Sequence, residues 1–348
     1  MQQPPGQTPD TAGIQGDITM KLNRNPLLKS CFEIVKAFTI PAVIYLALTV
    51  IMPDKIYLSN MKYLLIQAVM PAILAWGASF NLTAGHSDFS VGASMLLASI
   101  VGGNLALKLN LGVPGLLVIC PIVGMLSSGL TGFLYTTLKI PSMIVSVGVM
   151  LIVESACSII FGGNGVNLPA GYIVFGPSVN TIYFGIFAFV LAYYMFNFRT
   201  FGIHVRALGS NASVAAQCGL NIDRARLKCF LCYGFFAGMY AVVSLGTSGV
   251  AKPVPAMGTM RTAFDAMMCF MVGTSLAPSI NTIIAIYVGA LYMQLVNLVL
   301  SAINFPSLFT QAVVAFFVLI VMCYSTIKEN RALEAARRHE FELASAEA

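Results

Sequence analysis

Ten apolar segments, most of them close to 20 residues long, follow one another along this 348-residue chain and restrict the folds open to it. A helix needs about 20 residues to cross a bilayer core, and lipid offers no partner for a free backbone amide. Only 9% of the residues are charged, against about 25% in a soluble domain. We therefore predict an all-α membrane protein, a polytopic bundle of about ten transmembrane helices. The segments are 34–52, 61–80, 91–109, 114–138, 141–161, 181–197, 227–248, 263–277, 280–301 and 306–326.

Polar tails flank the predicted transmembrane domain, which covers residues 31–327. Residues 1–30 contain no apolar run and predict a disordered cytoplasmic tail. Residues 328–348 are rich in helix formers and mixed charge, which is typical of an exposed helix or a frayed end. Inside the domain the eighth apolar segment is short. We expect that it either spans the membrane fully or is broken and re-entrant.

The distribution of Lys and Arg predicts that both termini are cytoplasmic, because cytoplasmic loops carry the excess of positive charge. This topology places 14 of the 19 basic residues inside and 5 outside. The inside set is Lys21, Arg24, Lys29, Lys36, Lys139, Arg199, Arg206, Arg224, Arg226, Lys228, Lys328, Arg331, Arg337 and Arg338, and the outside set is Lys55, Lys62, Lys108, Lys252 and Arg261.

The longest polar interruption in the second half of the chain is a basic stretch, residues 198–226. Its middle, residues 211–222, predicts a short helix with Asn211 as N-cap and Gly219 near the C-terminus. A small-residue face that suits close packing by a partner protein is formed by Ala215, Ala216 and Gly219.

The basic stretch also contains a pattern made up of Gly202, Ala207-Leu208-Gly209-Ser210-Asn211, Ala215-Ala216 and Gly219-Leu220. The pattern resembles the cytoplasmic coupling loop of ATP-binding cassette (ABC) permeases, in the monosaccharide and branched-chain amino acid permease family and above all its ribose-type members. In that family the loop docks on the ATPase subunit. The resemblance implies the same role for residues 198–226, although Ile203 stands where the family usually has arginine.

A second match, Ala84–Gly92, resembles the family signature Gly-Gly-Ile-Asp-Leu-Ser-Val-Gly, with His86 as a departure. Asp88 is an acid at the edge of a span, where charge is expensive and usually paired or functional. It is either a structural cap or interhelical partner, or a substrate contact. Ser90 is placed to cap the helix that follows.

Two further matches extend the resemblance over roughly residues 61–325. Pro141–Gly148 resembles the family segment that opens the fifth span, and within that span lies Glu154, where sugar members often have arginine. This buried acid needs a partner or a proton, and it is either a pathway residue or a structural partner. Residues 264–278 resemble the family's Leu-Asp-Ala-Ile-Ala-Ala and Gly-Gly-Thr-Ser-Leu-Ala-Gly-Gly runs and contribute Asp265 to the tentative substrate pathway.

Several function classes find no support in the sequence. It contains no G-x-x-x-x-G-K-[ST], H-E-x-x-H or G-x-S-x-G motif, so we predict no catalytic residues, no metal and no cofactor in this chain, with ATP bound by a partner subunit. The cations show no stripe with interleaved aromatics, which argues against nucleic acid. The eight cysteines are scattered, and the C-x-x-C at 229–232 lacks a second pair.

The resemblance implies the permease subunit of a bacterial ABC importer in the inner membrane, translocating a small polar solute, most simply a monosaccharide. Its expected partners are an ATPase, an extracytoplasmic solute-binding protein, a second permease subunit and the surrounding membrane lipid. The uncharged, turn-rich connection 162–180 is either a contact for the binding protein or a plain connector. A nucleoside, autoinducer or branched-chain amino acid permease, an ion-coupled secondary transporter and a membrane scaffold are the alternatives.

Overall fold

The computed structural model describes residues 26–51, 53, 57, 60–176, 178–278, 280–306, 309–310, 312–324 and 327. Helices dominate these residues and confirm the all-α prediction. They are α1 Pro26–Ile51, α2 Met61–Thr83, α3 Val91–Lys108, α4 Gly112–Leu138, α5 Ser142–Cys157, α6 Val179–Asn197, α7 Thr200–Ser210, α8 Ala212–Gln217, α9 Ile222–Ser248, α10 Met260–Leu276, α11 Thr282–Ala302 and α12 Ala312–Tyr324.

Each of the ten apolar segments coincides with one of these helices. Among the residues that the structure describes, seven helices, α1 to α4, α6, α9 and α11, are long and apolar enough to cross a membrane. The shorter ones are α5, α10 and α12. Helix α1 begins at Pro26, before the predicted domain boundary at residue 31. The remaining tail residues, 1–25 and 328–348, lie outside the described residues.

The connection between α5 and α6 is folded against the end of α3. Its strand β1 (Val166–Asn167) pairs antiparallel with β2 (Val250–Ala251), which directly follows α9. Asn104 Nδ2 donates to Gly165 O at 3.0 Å, and Tyr172 Oη donates to Ala106 O at 3.3 Å. The connection therefore forms a packed cap over one end of the bundle, opposite the end that carries α7 and α8.

The centre of the bundle is α9, which packs against α2, α3 and α4. Its approach to α4 depends on glycines, since a β-carbon at Gly234 would overlap the Gly124 carbonyl oxygen, and one at Gly238 would overlap the backbone at Pro121. In a membrane, helices associate through van der Waals contacts and not through the hydrophobic effect. Small residues strengthen these contacts because they let the helix backbones approach closely. This glycine seam fixes α9 at the core of the molecule.

We expect Gly234→Ala to lower the melting temperature of the detergent-solubilised protein, because overpacking a tight contact costs about 1–3 kcal/mol. The matched control is Gly148→Ala in α5, where an added β-carbon meets nothing within 4 Å. That variant should melt at or slightly above the parent temperature, because alanine is the better helix former. Equal melting of Gly234→Ala and the parent would contradict the tight seam.

Candidate functional site

The basic stretch predicted for ATPase docking folds as α7, α8 and the first turn of α9. Gly202 and Gly209 both face this chain's own helices. A β-carbon at Gly202 would overlap the Phe196 carbonyl at the end of α6, and one at Gly209 would overlap the Thr83 carbonyl at the end of α2. These two glycines therefore seat α7 on the ends of two membrane helices, with Gly202 buried and Gly209 exposed at the surface.

Helix α8 has the local structure that the sequence predicts. The Asn211 Oδ1 accepts from the backbone N–H groups of Ser213 (3.1 Å) and Val214 (3.2 Å), which confirms the N-cap. Gly219 has φ +86° and follows the helix, as a C-terminal glycine does in a Schellman motif. The Leu220 N–H completes this motif by donating to Ala215 O at 3.1 Å.

The predicted helix and its small-residue face differ from the observed structure in two respects. The helix ends at Gln217, before residue 222, and Ala215 is buried against this chain. Ala216 and Gly219 are exposed. Helical spacing alone puts Ala215 and Gly219 on one face, but the left-handed turn after Gln217 takes Gly219 out of the helix.

A cleft of about 550 Å³ lies between α7, α8 and the start of α9. Its cationic members, Arg224 and Lys228, are exposed, and the Asn221 side chain caps α9 by accepting from Arg224 N at 3.0 Å. The cleft gives this end of the bundle a concave, positively charged surface. Its lining is His204, Ala207, Ser210, Asn211, Val214, Ala215, Cys218, Gly219, Leu220, Asn221, Arg224, Ala225 and Lys228.

The turn between α2 and α3 is held by Asp88, which is fully buried. Its Oδ1 accepts from the Ser90 N–H (2.9 Å) and Oγ (2.6 Å), and its Oδ2 accepts from Ser128 Oγ of α4 at 3.3 Å. The expectation that Ser90 caps α3 is wrong, because Ser90 makes no side-chain cap and instead donates to Asp88. Asp88 thus has the geometry of an interhelical partner.

His86 connects this turn to the basic stretch. Its ring lies 5.2 Å from the Tyr135 ring, and the Tyr135 hydroxyl is 3.4 Å from His86 Nδ1. The Arg226 guanidinium lies 5.4 Å from the centroid of the same Tyr135 ring. The start of α9 and the Asp88 turn are therefore joined through one aromatic side chain.

Glu154 of α5 is 2% exposed and binds the backbone that leads into α10. Its Oε2 accepts from Met257 N at 2.9 Å, and its Oε1 accepts from Thr259 N at 3.0 Å and Thr259 Oγ1 at 2.5 Å. A carboxylate at the N-terminus of a helix also faces the positive end of the helix dipole. Glu154 therefore has the contacts of a structural partner.

A cavity of about 300 Å³ lies between α2, α6, α9, α10 and α11, and Asp265 lines it. Polar groups from five helices converge here, although isolated polar residues in spanning helices are expensive and usually functional. Asp88, Ser90 and Glu154 lie elsewhere in the bundle. The lining is Ile66, Gln67, Met70, Pro71, Leu74, Gly176, Thr181, Tyr240, Val243, Thr247, Thr262, Asp265, Ala266 and Gln294.

Sequence reasoning missed three of the polar groups in this cavity, Gln67, Tyr240 and Gln294. The signal that could have found them is a single amide or hydroxyl inside an otherwise apolar segment. Each lies in a different span, so their convergence depends on how the helices pack and not on any local spacing.

A family model described as "Branched-chain amino acid transport system / permease component" matches residues 60–323. The chain belongs to this family. It is a multi-pass membrane permease, and the resemblance read from its motifs is confirmed. No solved structure matches it.

Several curated relatives cover most of the permease at low identity. The L-arabinose ABC transporter permease of Azospirillum brasilense is 24% identical over 298 residues, 83% of this chain and 86% of the relative. The ribose import permease of Haemophilus influenzae is 22% identical, covering 82% and 91%. The autoinducer 2 import system permease of Klebsiella pneumoniae is 23% identical, covering 92% and 90%.

We expect Glu154→Gln to destabilise the permease by about 1–3 kcal/mol, the cost of leaving a buried donor unpaired. In either orientation, the glutamine NH₂ group faces a backbone N–H donor, of Met257 or of Thr259. The measurement is the melting temperature in detergent.

The control for this prediction is Ser155→Ala on the same helix. The Ser155 hydroxyl donates only within α5, to Leu151 O at 2.8 Å. If the Glu154→Gln and Ser155→Ala variants have the same melting temperature, the carboxylate does not hold the start of α10.

Proposed function

We propose that this permease is the membrane-spanning subunit of a bacterial ABC importer that carries a monosaccharide, powered by ATP bound to a separate ATPase subunit. The observation that carries the proposal is the pairing of two sites on one chain: a polar cavity among the spans and a cationic cleft at the end with α7 and α8. The sugar and autoinducer permeases among its relatives support the same function.

The chemistry of the cavity suits an uncharged polyhydroxy solute. The Asp265 carboxylate accepts hydrogen bonds from hydroxyl groups, and the amides of Gln67 and Gln294 both donate and accept. Apolar side chains such as Met70 and Val243 offer contact area for the C–H faces of a sugar ring. The volume lies at the lower end of small-molecule sites, about 300–1,000 Å³.

The cleft end is the proposed contact for the ATPase, with Ala216 and Gly219 on the exposed surface and Arg224 and Lys228 supplying positive charge. Movement of α7 would reach α2 directly, because Gly209 lies against the Thr83 carbonyl. Movement of α9 would reach the cavity, because one continuous helix carries Lys228 at the cleft and Tyr240 at the cavity.

The remaining features of the proposal follow from the orientation of the permease in the membrane. Both termini and the cleft are cytoplasmic, in the inner membrane, as the distribution of basic residues favours. The folded α5–α6 connection then faces outward and is the proposed contact for a solute-binding protein. A second permease subunit completes the translocation unit, and this chain itself contributes no catalytic residue or cofactor site.

Ala216→Trp tests the docking surface. Ala216 is exposed on α8, so the substitution should leave the permease inserted and abundant while adding bulk where the ATPase would pack. We expect less ATPase to co-purify with the variant, and solute-stimulated ATP hydrolysis in proteoliposomes to fall several-fold.

Leu109→Trp is the matched control, since Leu109 is 60% exposed at the opposite end of the bundle. It should retain the ATPase on co-purification. Full retention of the ATPase by Ala216→Trp would place the contact elsewhere, and absence of any co-purifying ATPase from the parent would contradict the importer proposal.

A further inference from the structure

The segment between β2 and α10, residues 252–259, is neither helix nor strand and runs beside α3. At its start, Ala251 pairs with Val166, whose side chain lies against Gly103. At its end, the Thr259 carbonyl lies against Gly92. These two glycines are separated by about 16 Å along α3, at 1.5 Å per residue. The segment therefore runs about 16 Å back along a membrane helix before α10 begins.

The inner end of this segment lies deep in the bundle. Ser90, directly before α3, is hydrogen-bonded through its Oγ to Thr131 Oγ1 of α4 at 2.8 Å. Helix α4 continues from Thr131 to Leu138, about 10 Å further. The bundle therefore extends about 16 Å from Thr259 in one direction and at least about 10 Å in the other. Because a hydrocarbon core is about 30 Å thick, Thr259 lies at membrane depth.

Most of the segment is exposed on the protomer despite this depth. Val254 is 41% and Met257 37% exposed, and Arg261, in the first turn of α10, is exposed as well. Non-helical backbone does not face lipid, and an arginine at membrane depth faces a partner or water. This surface therefore requires water or protein in front of it.

The backbone of the segment is held in an uncommon conformation. Ala256 and Met257 have φ values of +60° and +64°, in the left-handed region that non-glycine residues seldom occupy. Such residues persist where the surroundings over-determine them, and they cluster at functional sites. Here the Glu154 carboxylate fixes the N–H groups of Met257 and Thr259.

We propose that residues 252–259, together with Arg261, line the water-filled path of the solute. Arg261 and Asp265 are four residues apart and share a face of α10. Asp265 lines the cavity, so the path and the cavity meet along that face. The charged lining groups are the exposed Lys252 and Arg261 and the Asp265 carboxylate, which suit an oxygen-rich solute. The inference deepens the transport function proposed above and rests on it.

The test uses single cysteines at Val254 and Met257 in the full-length permease, otherwise free of cysteine, assembled with its ATPase and its solute-binding protein in sealed vesicles. A water-soluble, charged methanethiosulfonate is the probe. We expect both positions to react at least ten-fold faster than Ile152→Cys, a control on α5 whose side chain is 66% exposed on the protomer. Modification should reduce uptake several-fold, and transported solute should slow it.

A second control, Leu109→Cys at the exposed outer end of the bundle, should react readily with the probe. If Val254→Cys and Met257→Cys resist the probe while ATP-driven uptake is normal, the segment does not line the path and the transport function stands. The same conclusion follows if they form disulfides between two permease chains and never react. If the cysteine-free parent shows no ATP-driven uptake, the proposed function itself fails, and this inference fails with it.

Discussion

Lipid supplies no hydrogen-bond partners, so a spanning chain that leaves its helical path must satisfy its backbone from within. The break before α10 meets this requirement through Glu154, whose two oxygens accept from Met257 N, Thr259 N and Thr259 Oγ1. A buried carboxylate is costly unless it is fully hydrogen-bonded, and these three bonds provide that compensation. The placement of α10, and with it Asp265, depends on this contact.

The second constraint is the close approach of backbones at glycine. The contact of Gly234 with Gly124 sets α9 against α4, and the contact of Gly209 with Thr83 sets α7 against the end of α2. Because α9 is a single helix of 27 residues, about 40 Å long, it forms a rigid connection between the cationic cleft and the polar cavity. A displacement of one end of such a helix therefore also moves the other end.

Local signals in the sequence predicted local structure well. Each of the ten apolar segments forms a helix. Asn211 marks the start of α8 through its capping side chain, and Gly219 marks its end through its left-handed backbone conformation. The Ser90 cap failed because Asp88, two residues earlier, accepts from the Ser90 N–H and hydroxyl. Ala215 turned inward because packing, which no spacing rule contains, decides which face of α8 is buried.

The candidate site was harder to predict because its parts are distant in sequence. Gln67, Tyr240 and Gln294 come from three different spans, and their meeting depends on how the bundle packs. The partners of Glu154 lie more than 100 residues further along the chain. The sequence could show that this acid needs a partner, but not which backbone it would hold.

ATP-dependent uptake is the most direct test of the permease as the translocating subunit of an ABC importer. The measurement is uptake of labelled ribose, arabinose and related monosaccharides into sealed vesicles that contain the permease, its ATPase and its binding protein. We expect uptake of at least one sugar to require ATP on the side of the ATPase and to be indifferent to an imposed ion gradient. Uptake that ignores ATP and follows the ion gradient would contradict this function.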